Sequence, residues 1–179
     1  MLLKNTPHRF GWIAMSLHWI IALLMIGLII LGLYMVPLPF NLQKLKLYGW
    51  HKEFGILVLM LAIFRLFWRF MNITPLLPEK MHPWEKTAAH TVHWIFYGFM
   101  FALPITGWMI SSAADLPVSF FGLFVLPNLI DPSEAHRILL AEIHEWLSYG
   151  LIFVLLGHTA AALQHHFYNK DDILRRMLP

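Results

Sequence analysis

The stretch AEIHEWLSYGLIFVLLGHTAAALQHHFY, residues 141–168, decides the fold. A helix that crosses hydrocarbon takes about 20 mainly apolar residues, and this stretch supplies them. It also carries His144 and His158, and a histidine inside a membrane is costly unless it has a task. Fourteen residues separate the two. That interval is about 1400° of helical rotation, roughly 40° short of four full turns, with a rise of about 21 Å. One face of one helix therefore presents a histidine near each membrane surface.

Working outward, three more stretches have the length and apolarity of a span: residues 11–36, 50–70 and 87–111. Prolines close the intervals between them, with Pro37 and Pro39 after the first and Pro75, Pro78 and Pro83 after the second. Pro117, Pro127 and Pro132 follow the third. Pro104 falls inside the third span, where neighbouring helices can satisfy the backbone groups that a kink frees. The loop 112–140 contains an apolar segment, 119–126, that is too short to span and is expected to lie as a cap over the outer end.

Composition agrees. The 179 residues are 59% hydrophobic and 13% charged, where an ordinary soluble domain is about one-quarter charged. The absence of cysteine excludes disulfides, thiolate metal sites, iron–sulfur clusters and covalently attached haem. A net charge of +3 without a basic stripe gives no nucleic-acid partner. The run 11–36 is longer than a secretory signal core and lacks a small-x-small cleavage site, so it is read as a retained span. The expected fold is an all-α membrane protein, one domain over residues 1–179, with four transmembrane helices in a bundle.

Charge sets the expected orientation. With the N-terminus inside, that face holds Lys4, Arg9, Arg65, Arg69, Lys80, Lys86, Lys170, Arg175 and Arg176, and the outer face holds Lys44, Lys46, Lys52 and Arg137. The excess places both termini in the cytoplasm.

Antiparallel packing then pairs the histidines by depth. His18 lies about two turns into the first span, level with His158, and His51 opens the second span level with His144. Two His/His pairs result, one near each surface, each joining the fourth helix to another. That geometry suits two b-type haems, each held by two axial imidazoles between facing helices. A pair of imidazoles without a carboxylate makes a poor zinc site. An isolated intramembrane histidine often serves only as a helix–helix hydrogen bond, but four at two matched depths ask for more. Gly55, Gly157, Ala161 and Ala162 leave room for a porphyrin or simply for close helix packing. Arg65 repeats the fourteen-residue interval from His51, which aims it at the inner site as a partner for a haem propionate. His93, with His90 one turn before it, and His165, beside His166, sit near the inner end, where histidines can bind a quinone carbonyl and relay its protons.

The segments SLHW (16–19), GWHK (49–52), HTVH (90–93), LPITG (103–107), IHE (143–145) and GHTAAALQHH (157–166) resemble the bacterial cytochrome b561 family over essentially the whole chain. The resemblance implies a four-helix, di-haem b protein of the bacterial inner membrane. It assigns His18 and His158 to the inner haem iron and His51 and His144 to the outer one. Small members of the family look like superoxide oxidases, which implies superoxide as electron donor, ubiquinone as acceptor, and a quinone site near His93 and His165. The other reading is a cytochrome b anchor that connects a dehydrogenase or hydrogenase to the quinone pool. The short loops offer such a partner little docking surface, and the sequence names no protein partner.

Overall fold

A computed structural model describes residues 2–78 and 81–178, and Lys80 of the charge count lies outside the described residues. Four long α-helices occur among them: α1 (Trp12–Met35), α2 (Leu42–Phe70), α3 (Pro83–Ala113) and α4 (Glu134–Gln164). Three of the four begin earlier than the apolar runs suggest, because local caps extend them into polar sequence. Asn41 accepts from the Lys44 amide at 2.8 Å, so α2 starts at Leu42 rather than Trp50. Pro83 opens α3 as its first residue instead of lying in the loop. A capping box there runs between His82 and Glu85, whose carboxylate accepts from the His82 amide at 2.9 Å. Ser133 caps α4, so the loop after α3 is shorter than 112–140. In the exposed first turn of α4, the Arg137 guanidinium holds the Glu134 carboxyl below its usual range, and the ionised carboxylate complements the positive helix end.

Helices α1, α3 and α4 with its continuation to Asn169 are long and apolar enough to cross a membrane. Helix α2 falls short of that measure because it carries Lys44, Lys46, Lys52, Glu53, Arg65 and Arg69. Packing joins α1 to α2, α2 to α3, and α3 to α4, so neighbours in sequence are neighbours in space. The interior meets in two layers. Ile21, Ala62, Tyr97 and Met100 form a buried cluster in the middle of α1–α3. Nearer the other end, Ile56 of α2 meets Val118, Phe120 and Leu126 of the loop. Gly150 of α4 accepts the ring of Phe99, whose Cζ would stand 3.2 Å from a Cβ built there.

The apolar segment of the loop forms a small hairpin, with β1 (Ser119–Phe120) antiparallel to β2 (Phe124–Val125). Its tight turn needs positive φ at Phe121 (48°) and Gly122 (71°). Phe121 tolerates that conformation because its ring lies against Phe54 and Phe120, at 5.3 and 4.9 Å between centroids. The hairpin thus covers the end of α2 that bears His51, as the sequence suggests for a cap.

The opposite end is closed by a plate made of both chain ends and the α2–α3 connection. Arg9 donates to the Leu178 carbonyl at 2.7 Å, Trp19 to Met177 at 2.7 Å, and Asn5 to Ile73 at 2.8 Å. Arg176 donates to the Leu76 carbonyl. Gly11 sits at the tightest point, where a Cβ would stand 2.4 Å from the Leu3 carbonyl oxygen and 2.5 Å from the Lys4 carbonyl carbon. Backbone must move to admit it, so Gly11→Ala is expected to cost about 2 kcal/mol, read as a lowered thermal midpoint of the purified protein.

Candidate functional site

The four membrane histidines fall into two pairs at the two ends of α4. His18 of α1 and His158 have ring centroids 6.5 Å apart at 68°. His51 of α2 and His144 repeat this, 6.2 Å apart at 69°. A direct N–H···N hydrogen bond of about 2.9 Å would draw the centroids to roughly 5 Å, so the rings are too far apart to bond each other. A metal at about 2.0 Å from each ring nitrogen sets them at roughly 6 Å, and both pairs fit that spacing. Among the described residues no cluster of three or more His, Cys, Asp or Glu has metal-holding geometry. Two imidazoles therefore suit a metal that arrives with its own equatorial ligands, which a porphyrin provides.

Leu151 stands midway on α4, seven residues from each histidine, and is only 2% exposed. Leu151 on α4 and the Ile21, Ala62, Tyr97 and Met100 cluster of α1–α3 are the apolar partition between the two sites.

The outer pair is supported from four helices. Thr106 of α3 donates its hydroxyl to the Ala102 carbonyl at 2.8 Å and receives the Nδ1–H of His144 at 2.9 Å. With Nδ1 engaged, Nε2 is the nitrogen left to ligate. Gly107, the next residue, passes beneath the same ring, where a Cβ would lie 3.4 Å from His144 Cε1. Gly32 of α1 does the same for His51, at 3.5 Å from its Cε1. The LPITG segment thus has a physical reading: threonine orients the imidazole and glycine makes room for it. The buried Nδ1 of His51 has no partner among the described residues.

The inner pair has different surroundings. Arg65 lies at the depth the sequence gives it, and its Nη2 stands 3.3 Å from His18 Nδ1. An arginine there is a donor only; it serves the ring edge here and can serve a carboxylate brought in beside that ring. Phe96 packs edge-on to His158 at 5.2 Å. His93 also approaches His158, with centroids 6.0 Å apart, and its Nδ1–H donates to the Ala89 carbonyl at 2.7 Å. Arg69 stacks over Trp94 and Tyr97, at 5.2 and 5.7 Å.

His165 closes α4 in regular helical register, with its amide bonded to the Ala161 carbonyl. The helix widens into a single π turn over His165–Asn169 and ends on Lys170 in the left-handed region, φ 53°. That reversal brings Asp171 back, and its Oδ2 lies 2.5 Å from His165 Nδ1. His90 is exposed on the surface of α3, and the buried Nδ1 of His166 finds no partner among the described residues. Gly55 and Gly157 face open space, since a Cβ at either meets nothing within 4 Å. Thr106, Gly32, Gly107 and Asp171 are the residues the sequence reading passed over. The LPITG segment held two of them in plain view. Gly32 is one of several glycines in an apolar run, and Asp171 reaches the site only because of the π turn.

Comparison with known proteins follows this geometry. A family model for prokaryotic cytochrome b561 matches residues 9–179. Cytochrome b561 homolog 2 of Escherichia coli is 35% identical, covering 99% of this chain and 95% of that protein. Cytochrome b561 homolog 1 of the same organism is 28% identical over 96% of this chain and 98% of its own length. A probable superoxide oxidase CybB of Yersinia pestis is 31% identical, with 96% of each chain covered. The chain belongs to the prokaryotic cytochrome b561 family of membrane-bound, haem-iron electron-transport proteins.

Proposed function

We propose that this protein carries two b-type haems in a four-span bundle of the bacterial inner membrane and passes electrons from superoxide outside to ubiquinone on the cytoplasmic side. The observation that carries this reading is the repeated pair of imidazoles, 6.5 and 6.2 Å apart, at the two ends of one helix face. Helix α2 is the fourth span in this scheme. Residues 54–64 of it are wholly apolar, Lys44, Lys46 and Arg69 lie toward its ends, where such stems reach the headgroups, and Arg65 turns inward to His18.

His18 and His158 hold the inner haem, and His51 and His144 the outer. His93 is nearer to His158 than His18 is, at 6.0 against 6.5 Å, but His18 repeats the interplanar angle of the outer pair, 68° against 69°. A haem iron held by such a pair of imidazoles would supply one-electron transfer. The polypeptide does the rest. Thr106 keeps His144 in one tautomer and orientation, Leu151 and its neighbours keep water from the partition, and Arg65 is at hand for a propionate. His93 and His165 bind the quinone at the inner end. Over one cycle two superoxide ions give up one electron each, and one ubiquinone takes both electrons with two protons. The name of the Yersinia pestis relative supports the choice of superoxide.

The experiment is a haem-to-protein ratio with a reduced-minus-oxidised spectrum, followed by superoxide-driven ubiquinone reduction in liposomes. About two low-spin haems per chain and quinol formation are expected. One haem would mean that a pair is misassigned, and haems that superoxide cannot reduce would remove the proposed donor.

A further inference from the structure

We infer that Asp171, through its hydrogen bond to Nδ1, sets His165 as the proton donor to the quinone. The inference rests on the quinone reading above and assigns the chemistry within that site.

The two histidines are both pinned at Nδ1, but by acceptors of different charge. His93 donates to the Ala89 carbonyl at 2.7 Å. His165 faces the Asp171 carboxylate at 2.5 Å. A carboxylate on Nδ1 orients the ring and steadies it while Nε2–H is given up and regained, the division of labour of an Asp–His pair in acid–base catalysis. A quinone oxygen is an acceptor, so it takes the Nε2–H of the histidine that the carboxylate holds.

Local structure holds the pair together. The Asp171 amide donates to the His165 carbonyl at 3.2 Å, and Asp171 Oδ1 accepts from the Ile173 amide at 3.1 Å. Both oxygens of the carboxylate are thereby used and its orientation is fixed. Asn169 also approaches His165 Nδ1, at 3.2 Å, and with its amide turned over it offers a second acceptor. Such a π turn costs regular hydrogen bonds and recurs at functional sites, and Lys170 accepts a left-handed conformation disfavoured for a side chain with Cβ. The His165 side chain is 13% exposed and Asp171 22%, so the pair touches water on one side.

The proton balance is then specific. Two electrons and two protons convert the quinone's two carbonyls to hydroxyls. The His165 Nε2–H bond breaks as one O–H bond forms, and water on the exposed side returns the proton to Nε2 while Nδ1–H stays on Asp171. The second proton comes from solvent.

The test is single-turnover oxidation of pre-reduced holoprotein by ubiquinone-1, with quinone binding followed separately by tryptophan fluorescence. Asp171→Asn keeps an acceptor for Nδ1–H and removes only the charge. A loss of saturating rate of at least about tenfold is expected, with half-saturation and binding within about threefold of the parent and an unchanged two-haem spectrum. Asp171→Glu, which restores the charge, is expected to recover most of the rate. A rate for Asp171→Asn within twofold of the parent would overturn the role of the carboxylate and leave the quinone site standing. Failure of Asp171→Glu to recover the rate would reduce Asp171 to a structural cap. Failure of ubiquinone-1 to oxidise the parent protein would sink the quinone reading itself.

Discussion

In His144→Ala the outer haem's signal is expected to vanish while the inner haem's persists, taking the haem-to-protein ratio from about two to about one. Removing one axial imidazole leaves His51 with a centroid partner missing at 6.2 Å, and nothing else in the described surroundings offers a replacement ligand. Helix α4 itself should survive, because its packing against α3 through Phe99 and Gly150 lies elsewhere. The inner pair is fourteen residues away, across the Leu151 partition. Difference spectra with a pyridine haemochrome count would decide the matter. Equal loss of both haems would show either that the pairing is wrong or that one haem is required to fold around the other.

The second large effect turns on size at a single position. A Cβ at Gly107 would rest 3.4 Å from His144 Cε1, which is ordinary contact. Gly107→Ala is therefore expected to keep both haems, gaining about 1 kcal/mol in helix propensity and losing little. Gly107→Val places branched carbons beyond that Cβ, in the volume of the imidazole, and is expected to weaken the outer haem at least about tenfold. The ring must rotate or withdraw, and either movement breaks the 2.9 Å bond to Thr106. Haem titration of protein expressed without added haem separates the two variants. A valine variant that binds the outer haem like the parent would show that the ring does not lie against α3. Gly32 presents the same contact to His51 at 3.5 Å, so the outer site is bordered by a glycine on each side.

How much of this was legible in the sequence follows from the range of each signal. The arrangement of His144 and His158 on one face is a property of a single helix, and 3.6 residues per turn suffice to read it. The length and apolarity of α1, α3 and α4 are equally local. The early starts of α2, α3 and α4 escaped because caps are short side-chain hydrogen bonds, which hydropathy does not register. Pro83 shows the same limit, since proline reads as an interruption unless its place in the first helical turn is known. Asn41 and Ser133 were visible residues without a visible role.

At the site, what could be read was which helices face each other, since depth and antiparallel order determine that. What could not be read was which atom touches which. Thr106 meets His144 only because α3 and α4 pack closely, and Gly32 backs His51 because α1 crosses α2 at that level. Arg65 was placed at the correct depth, but its hydrogen bond to His18 depends on rotamers. His165 keeps the register of α4, its amide still bonded to the Ala161 carbonyl, and the part the sequence hid is the π turn beyond it that returns Asp171 to its ring.

The order in which the helices pack has a consequence for how the molecule is made. Each close helix contact joins consecutive elements, α1 with α2, α2 with α3, and α3 with α4. Such contacts form as each segment leaves the synthetic machinery, without waiting for later sequence. The histidine pairs are the opposite kind of link, tying α4 back to α1 and α2 across separations of 140 and 93 residues. Closing loops of that length adds an entropic cost that the contacts between consecutive helices do not carry. In the proposed scheme each haem would bridge one of these separations, so cofactor binding would join the last helix of the row back to the first two.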